Sequence, residues 1–434
     1  MEEQVLRGQV SLTDVAMLGA SAALGASVFS VLGPAAQIGG SGILITLVIA
    51  ALPMCVFGVV YAFMASCAPK SGASFEWPRE YINPFAGFSV AWLNVLAQIG
   101  QMVTLAMVLL NYLSVVVHLP PRPAMLVIFI AVWLLNLRGI EVAARAQTVL
   151  MYVFILVLAI FIVSGIPHVR VQRIGPLMPH GWMPVLLAAP IMTNLFMGIE
   201  CGTEIGEEVR DAKRNVPLGI AIALGVIGVI YLCVCFITLG LIGPEALSAS
   251  TAPLVAAGQQ SLGSYAAPLI VTGAVLSLLK SLNATYILYA RSLFAMGRSG
   301  LLSERLGHVD PRRGSPNVAL FAAFASSAIG VVLPQNLIFL FVASSIPFLL
   351  KYMTVCICAL RIAVKRPDEF RQSPLRIPRP LLVAVAWLGV ACAVGILLLS
   401  FGDERRAFVL VAAWGGIGLL YWAISGARRV RRTG

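Results

Sequence analysis

Leu18-Gly19-Ala20-Ser21-Ala22-Ala23-Leu24-Gly25-Ala26-Ser27-Val28-Phe29 starts the chain's first apolar segment, and Gly33-Pro34 and Gly39-Gly40 interrupt it further on. The sixth apolar segment is broken in the same manner, at Asn194-Leu195-Phe196-Met197-Gly198-Ile199-Glu200-Cys201-Gly202. Segments one and six hold matching places if segments 1–5 and 6–10 are two halves. Five is odd, so such halves must run in opposite topologies. Paired broken helices in an inverted repeat mark the binding site of a secondary transporter. The competing explanation for Gly25, Ala26 and Ser27 is close packing of small residues against a neighbouring helix.

The rest of the chain agrees that these segments lie in a bilayer. Of its 434 residues, 59% are hydrophobic and only 11% charged, with mean hydropathy +0.94. Soluble domains carry about 25% charged residues. Apolar runs long enough to cross about 30 Å of hydrocarbon recur about twelve times. They fall near 12–33, 41–66, 86–117, 122–138, 141–165, 182–206, 217–242, 266–297, 317–333, 336–363, 380–400 and 406–424. The expected fold is therefore an all-α integral membrane protein of about twelve transmembrane helices. Residues 1–165 form the first repeat, 166–363 the second, and 364–434 an appendage for packing or dimerisation.

A net charge of +12 is compatible with nucleic-acid binding, but the placement of the charge argues against it. Arg138, Arg145, Arg210, Lys213, Arg291, Arg361 and the tail Arg428–Arg432 all fall on one side of the predicted topology. The opposite loops hold only Arg122, Arg170, Arg173, Arg405 and Arg406. The positive-inside rule then puts both termini in the cytoplasm, with the chain in the cytoplasmic membrane. Met1–Gln9 is polar, and no small-residue cleavage site follows, so no signal peptide is expected. The eight cysteines lack zinc spacing, the four histidines lie in connecting segments, and no hydrolase or metal motif is present. No catalytic site, metal or cofactor is predicted.

Several motifs occur together and in order. Leu24-Gly25-Ala26-Ser27-Val28-Phe29 is followed by Pro69-Lys70-Ser71-Gly72-Ala73-Ser74. Phe196-Met197-Gly198-Ile199-Glu200 leads to Glu207-Glu208-Val209 and Asn215-Val216-Pro217, and Arg291–Leu301 to Pro316. Over residues 12–316 this series resembles the amino acid–polyamine–organocation (APC) transporter superfamily. The resemblance implies a LeuT-like five-plus-five inverted repeat with discontinuous helices 1 and 6, and uptake or exchange of amino acids or related amines. The chain departs from the family's Gly-Ser-Gly signature at Ala26 and Ser27, which adds a hydroxyl to a backbone cradle.

An unwound helix leaves N–H groups that suit a carboxylate, here at Gly25, Ala26 and Ser27. Carbonyls freed near Phe196, Gly198 and Ile199 suit an ammonium, so the two breaks together read as a zwitterion site. Phe196 is either a lid over the ligand or a core aromatic. Glu200 and Glu204 share a helix face, and burial makes a carboxylate a candidate proton carrier. Their alternatives are a structural bridge for Glu200 and contact with water beside Glu207 and Glu208 for Glu204.

Two lysines fall in the middle of apolar spans, where a charge is costly and tends to face a cavity, a partner or a pathway. Lys280 precedes Arg291 by eleven residues, about 16 Å along a helix. With Ser277, Ser281 and Asn283 it makes a polar stripe on span eight. In sodium-coupled relatives this part of span eight supplies hydroxyl ligands to an ion. A fixed ammonium at Lys280 would replace that sodium charge, hold spans one, five and eight together and titrate with transport; a structural ion pair is the alternative. Lys351 has no family counterpart; it pairs with a carboxylate or lines an external gate. The expected function is a sodium-independent amino acid transporter, proton-coupled or exchanging, working by alternating access. A permease for amines such as putrescine or ethanolamine, anchored on Glu200 and Glu204, is the alternative. A membrane enzyme or a channel is a more distant one.

Overall fold

Backbone polar groups inside a bilayer must be satisfied within the chain, and apolar runs meet this demand as helices. The structure, a computed structural model, describes residues 10–433 except 25–26, 71, 138–139, 179–180, 205, 207–208, 299, 301 and 311–315. Gly25 and Ala26 thus lie outside the described residues. Extended pairing among those described amounts to one isolated bridge, Val10 to Val209.

Helix α1 (Leu12–Ala23) starts from a reciprocal cap: the Asp14 amide donates to the Ser11 hydroxyl, and the Ser11 amide donates to the Asp14 carboxylate. Beyond residues 25–26 the chain resumes as α2 (Ser27–Ser30) and α3 (Leu32–Gly39). Then follow α4 (Ile43–Cys67), α5 (Ala73–Tyr81), α6 (Pro84–Leu113), α7 (Pro121–Asn136), α8 (Ile140–Gly165) and the short α9 (Val171–Ile174). Helix α10 (Trp182–Met192) gives way to 3-10 turns at Thr193–Leu195 and Ile199–Glu204. Helix α11 (Ala212–Ala249) bends at Gly243, and α12 (Pro253–Leu262), α13 (Ala266–Arg298), α14 (Asn317–Gly330) and α15 (Leu337–Lys365) come next. The chain ends in α16 (Pro367–Gln372), α17 (Arg379–Asp403) and α18 (Arg405–Thr433).

Eight helical stretches among the described residues are long and apolar enough to cross a membrane. Pro121–Asn136, Tyr152–His168 and Asn317–Gly330 are apolar but shorter. The 14 residues of α14 reach only about 21 Å, because Pro316 precedes the helix and Gly330 closes it. The chain is a multi-pass membrane protein.

Burial separates the core from the periphery. In α6 and α15, 72% of the most apolar window is buried, against 28% in α17 and 17% in α18. The first pair is the packed centre, and the last two are mostly uncovered apolar surface. Helix α18 is fixed to α6 by two indoles that donate to each other's backbone: Trp92 to the Trp414 carbonyl and Trp414 to the Trp92 carbonyl, both at 2.9 Å. Their rings stack 4.9 Å apart, over Gly418.

Helix α15 also gives the long axis. Asn336 at its start borders an open cavity, whereas Arg361 near its end donates to the carbonyls of Tyr81 and Ile82 beside α5. These two ends are about 37 Å apart along the helix, with Lys351 between them.

Candidate functional site

The break after α10 is built locally and then tied to α15. The Thr193 hydroxyl and the Asn194 amide turn back onto the Pro190 carbonyl, and Asn194 also reaches the Ile191 carbonyl. The chain then turns through Phe196–Gly198, and Gly198 sits at φ +105°, where a side chain would be strained. Glu200 folds back over this turn, its Oε2 accepting the Gly198 N–H at 3.0 Å. Its Oε1 lies 2.8 Å from Lys351 Nζ. Glu200 is 4% exposed and Lys351 7%, so water screens the pair little. The ammonium also lies 4.8 Å from the Phe348 ring centre and 5.2 Å from that of Tyr352, within cation–π range. A second tie, Ser345 hydroxyl to Asn194 Oδ1 at 3.1 Å, joins the same two elements.

The span-one break is held by neutral groups. The Ala23 carbonyl closes α1 and accepts from the Tyr231 hydroxyl on α11 and from the Ser27 hydroxyl. Those hydroxyls are 2.6 Å apart, so three oxygens share two protons. The sequence suggested that Ser27 would add a donor for an anion; here its hydroxyl is committed to Ala23 and Tyr231. The Tyr231 ring meets the Phe196 ring edge to face, with centres 6.1 Å apart. One tyrosine therefore touches both breaks. A Cβ at Gly19 would stand 3.0 Å from the Ile199 carbonyl, and Val15 fills the space beside Gly202 and Gly219. Small residues thus let α1 lie directly on the 3-10 segment and α11. Phe196 and Ile199 are buried.

Glu204 belongs to a different contact. Its carboxylate accepts from the Ser74 hydroxyl, and its backbone carbonyl accepts from the Gly72 N–H at 3.0 Å. Gly72 caps α5 at φ +68°, a conformation that glycine adopts without cost. The Pro69–Ser74 loop is thereby fastened to the exit from span six.

On α13, Ser277 and Asn283 are buried and Lys280 is 3% exposed. Asn283 accepts from the Asn136 amide of α7 at 2.7 Å. The Ser281 hydroxyl is buried without a hydrogen-bond partner among the described residues. The predicted stripe is therefore an interior feature, joined to α7 at one end. Among the described residues no group of three or more His, Cys, Asp or Glu could hold a metal.

A cavity of about 290 Å³ opens at the start of α15. Phe29 and Ser30 lie at its α2 side, Met107 and Asn111 on α6, and Ser250 and Thr251 before α12. Among the described residues, none that lines it is charged. Phe29 packs edge-on against Tyr112 at 5.1 Å between ring centres and, tilted, against Phe154 at 5.5 Å. Phe29 therefore joins the cavity wall to this aromatic cluster.

Residues 10–424 match the pattern of the family described as amino acid permease. The chain belongs to the amino acid permease family, within the APC superfamily. It is 26% identical to the branched-chain amino acid permease BcaP of Bacillus subtilis over 84% of this chain and 83% of that one. It is 24% identical to the methylthioribose transporter of the same organism, over 88% and 86% of the two chains. An uncharacterized transporter of Mycobacterium tuberculosis matches at 27% identity over 99% of this chain and 94% of its own.

In this permease, sequence reasoning passed over Tyr231, Ser345 and Asn136. A hydroxyl or amide in an apolar run was the available signal for each. Nothing in one sequence says which neighbour that group will meet.

Proposed function

We propose that the chain is a secondary active transporter of amino acids, sodium-independent and driven by protons or by exchange, that works by alternating access. In this reading it has about twelve crossings, with the first ten forming a LeuT-like inverted repeat and both termini in the cytoplasm. The observation that carries it is the Phe196–Glu200 break, held mid-bundle against α1 and α11 and linked to α15 by Glu200–Lys351. Backbone groups freed at such paired breaks suit the two charges of a zwitterion. The uncharged cavity at one end, and the contacts of Glu204 with Gly72 and Ser74 at the other, support an access path open on one side and closed on the other. The amino acid permease family and the relative named for branched-chain amino acids support the substrate class.

In the same reading Lys280 supplies a fixed positive charge within the α13 stripe and takes the place of a coupling cation. Uptake of a labelled amino acid panel into proteoliposomes tests this, with pH or sodium gradients imposed. Saturable uptake that follows the pH gradient or internal amino acid, ignores sodium, and falls at least about tenfold in Lys280→Ala is expected. Sodium-driven uptake would remove the role of Lys280, and no uptake of any amino acid would remove the function.

A further inference from the structure

A substrate that carries a second cationic group, such as a diamine or a basic amino acid, needs a carboxylate to receive it, because a desolvated ammonium without a counter-charge is costly. Two carboxylates lie along the described span-six segment, and both are engaged by the protein. Glu204 is turned to Ser74 at the α5 end. Glu200, beside the break itself, has one oxygen on the Gly198 N–H and the other on Lys351 Nζ. The Lys351 ammonium therefore stands where a substrate ammonium would have to stand. The open cavity at the start of α15 offers, among the described residues, hydroxyls, amides and apolar surface and no charge.

We propose that Lys351 is a built-in counter-cation that sets the charge of the cargo. By occupying Glu200 it removes the carboxylate a second ammonium would use, and so confines the site to zwitterionic amino acids with uncharged side chains. This rests on the reading that the span-six break lines the substrate site. The α-ammonium is not excluded by the device, since backbone carbonyls of the break receive it. A buried pair of this kind adds little stability for its desolvation cost, so selection against the wrong substrate is a use that fits its position.

The test is competition in proteoliposomes. The labelled probe is leucine, or whichever neutral amino acid of a panel gives the largest saturable uptake. Unlabelled lysine, arginine and putrescine are the competitors. In the wild type, a hundredfold excess of any of the three leaves uptake nearly unchanged. In Lys351→Met, which frees the carboxylate, the apparent inhibition constant of lysine or putrescine falls by about tenfold or more relative to that of a neutral competitor. The double variant Glu200→Gln/Lys351→Met removes both charges and is read by the same ratio, which stays at the wild-type value. Strong competition by lysine or putrescine in the wild type overturns the proposal, whether or not the single variant folds. So does a double variant that gains cation competition with no carboxylate left to supply it. A wild type that takes up no neutral amino acid fails one step earlier, at the proposed function itself.

Discussion

The two breaks of this permease are held in different currencies. At the first, the Ala23 carbonyl is met by the hydroxyls of Ser27 and Tyr231, all neutral, and the supporting helix is α11. At the second, the Gly198 amide is met by a carboxylate that is itself neutralised by an ammonium on α15. A neutral triangle can lose one member and keep part of its bonding. A buried ion pair cannot, because either partner left alone is an uncompensated charge. The first break can therefore loosen at small cost, whereas the second is a fixed reference in the bundle.

The contrast is broken most easily at α15. Lys351→Met leaves Glu200 buried without its partner, and the expected loss is about 3–5 kcal/mol of stability. Thermal unfolding of the purified protein in lipid nanodiscs measures it. Most of that loss is recovered in Glu200→Gln/Lys351→Met, because removing both charges also removes the desolvation cost. A single variant as stable as the wild type would mean that water or lipid headgroups reach Glu200, and the two breaks would then be equivalent.

The smaller effect is expected at α11. Tyr231→Phe deletes one donor to Ala23 and leaves the Ser27 hydroxyl to serve that carbonyl, so about 0.5–1.5 kcal/mol is expected in the same assay. The Phe196 edge-to-face contact survives, since the ring is retained. A loss as large as that of Lys351→Met would show that the neutral triangle is as indispensable as the ion pair.

Much of this was legible in the sequence, and the boundary is physical. Breakers inside an apolar run are local features, so the span-six interruption could be placed, and Gly198 turned out to need a positive φ. Long apolar helices were equally plain: α13 spans Ala266–Arg298 where the sequence suggested 266–297, and α15 spans Leu337–Lys365 where it suggested 336–363. Lys351 stood out as a charge in the wrong solvent, but its partner lies 151 residues away. Hydropathy reports how much a residue dislikes lipid and not which helix will satisfy it. The same limit hid Tyr231, which meets Ser27 across 204 residues, and the Trp92–Trp414 exchange that pins α18 to α6. Ser27 shows the converse. Its hydroxyl was read as available to a ligand because its neighbours in space were unknown.

Whether the Phe196–Glu200 break lines the substrate site is read most directly at Cys201, which is next to Glu200 and gives a native reporter of it. Cys201 is a free, partly exposed thiol. With the other seven cysteines replaced by alanine or serine, its modification by a small methanethiosulfonate reagent is followed in proteoliposomes, with and without saturating transported amino acid. If the break lines the site, substrate slows labelling several-fold, while an amino acid that is not transported leaves the rate alone. A labelling rate indifferent to saturating substrate, in a protein that still transports it, would put the substrate site elsewhere.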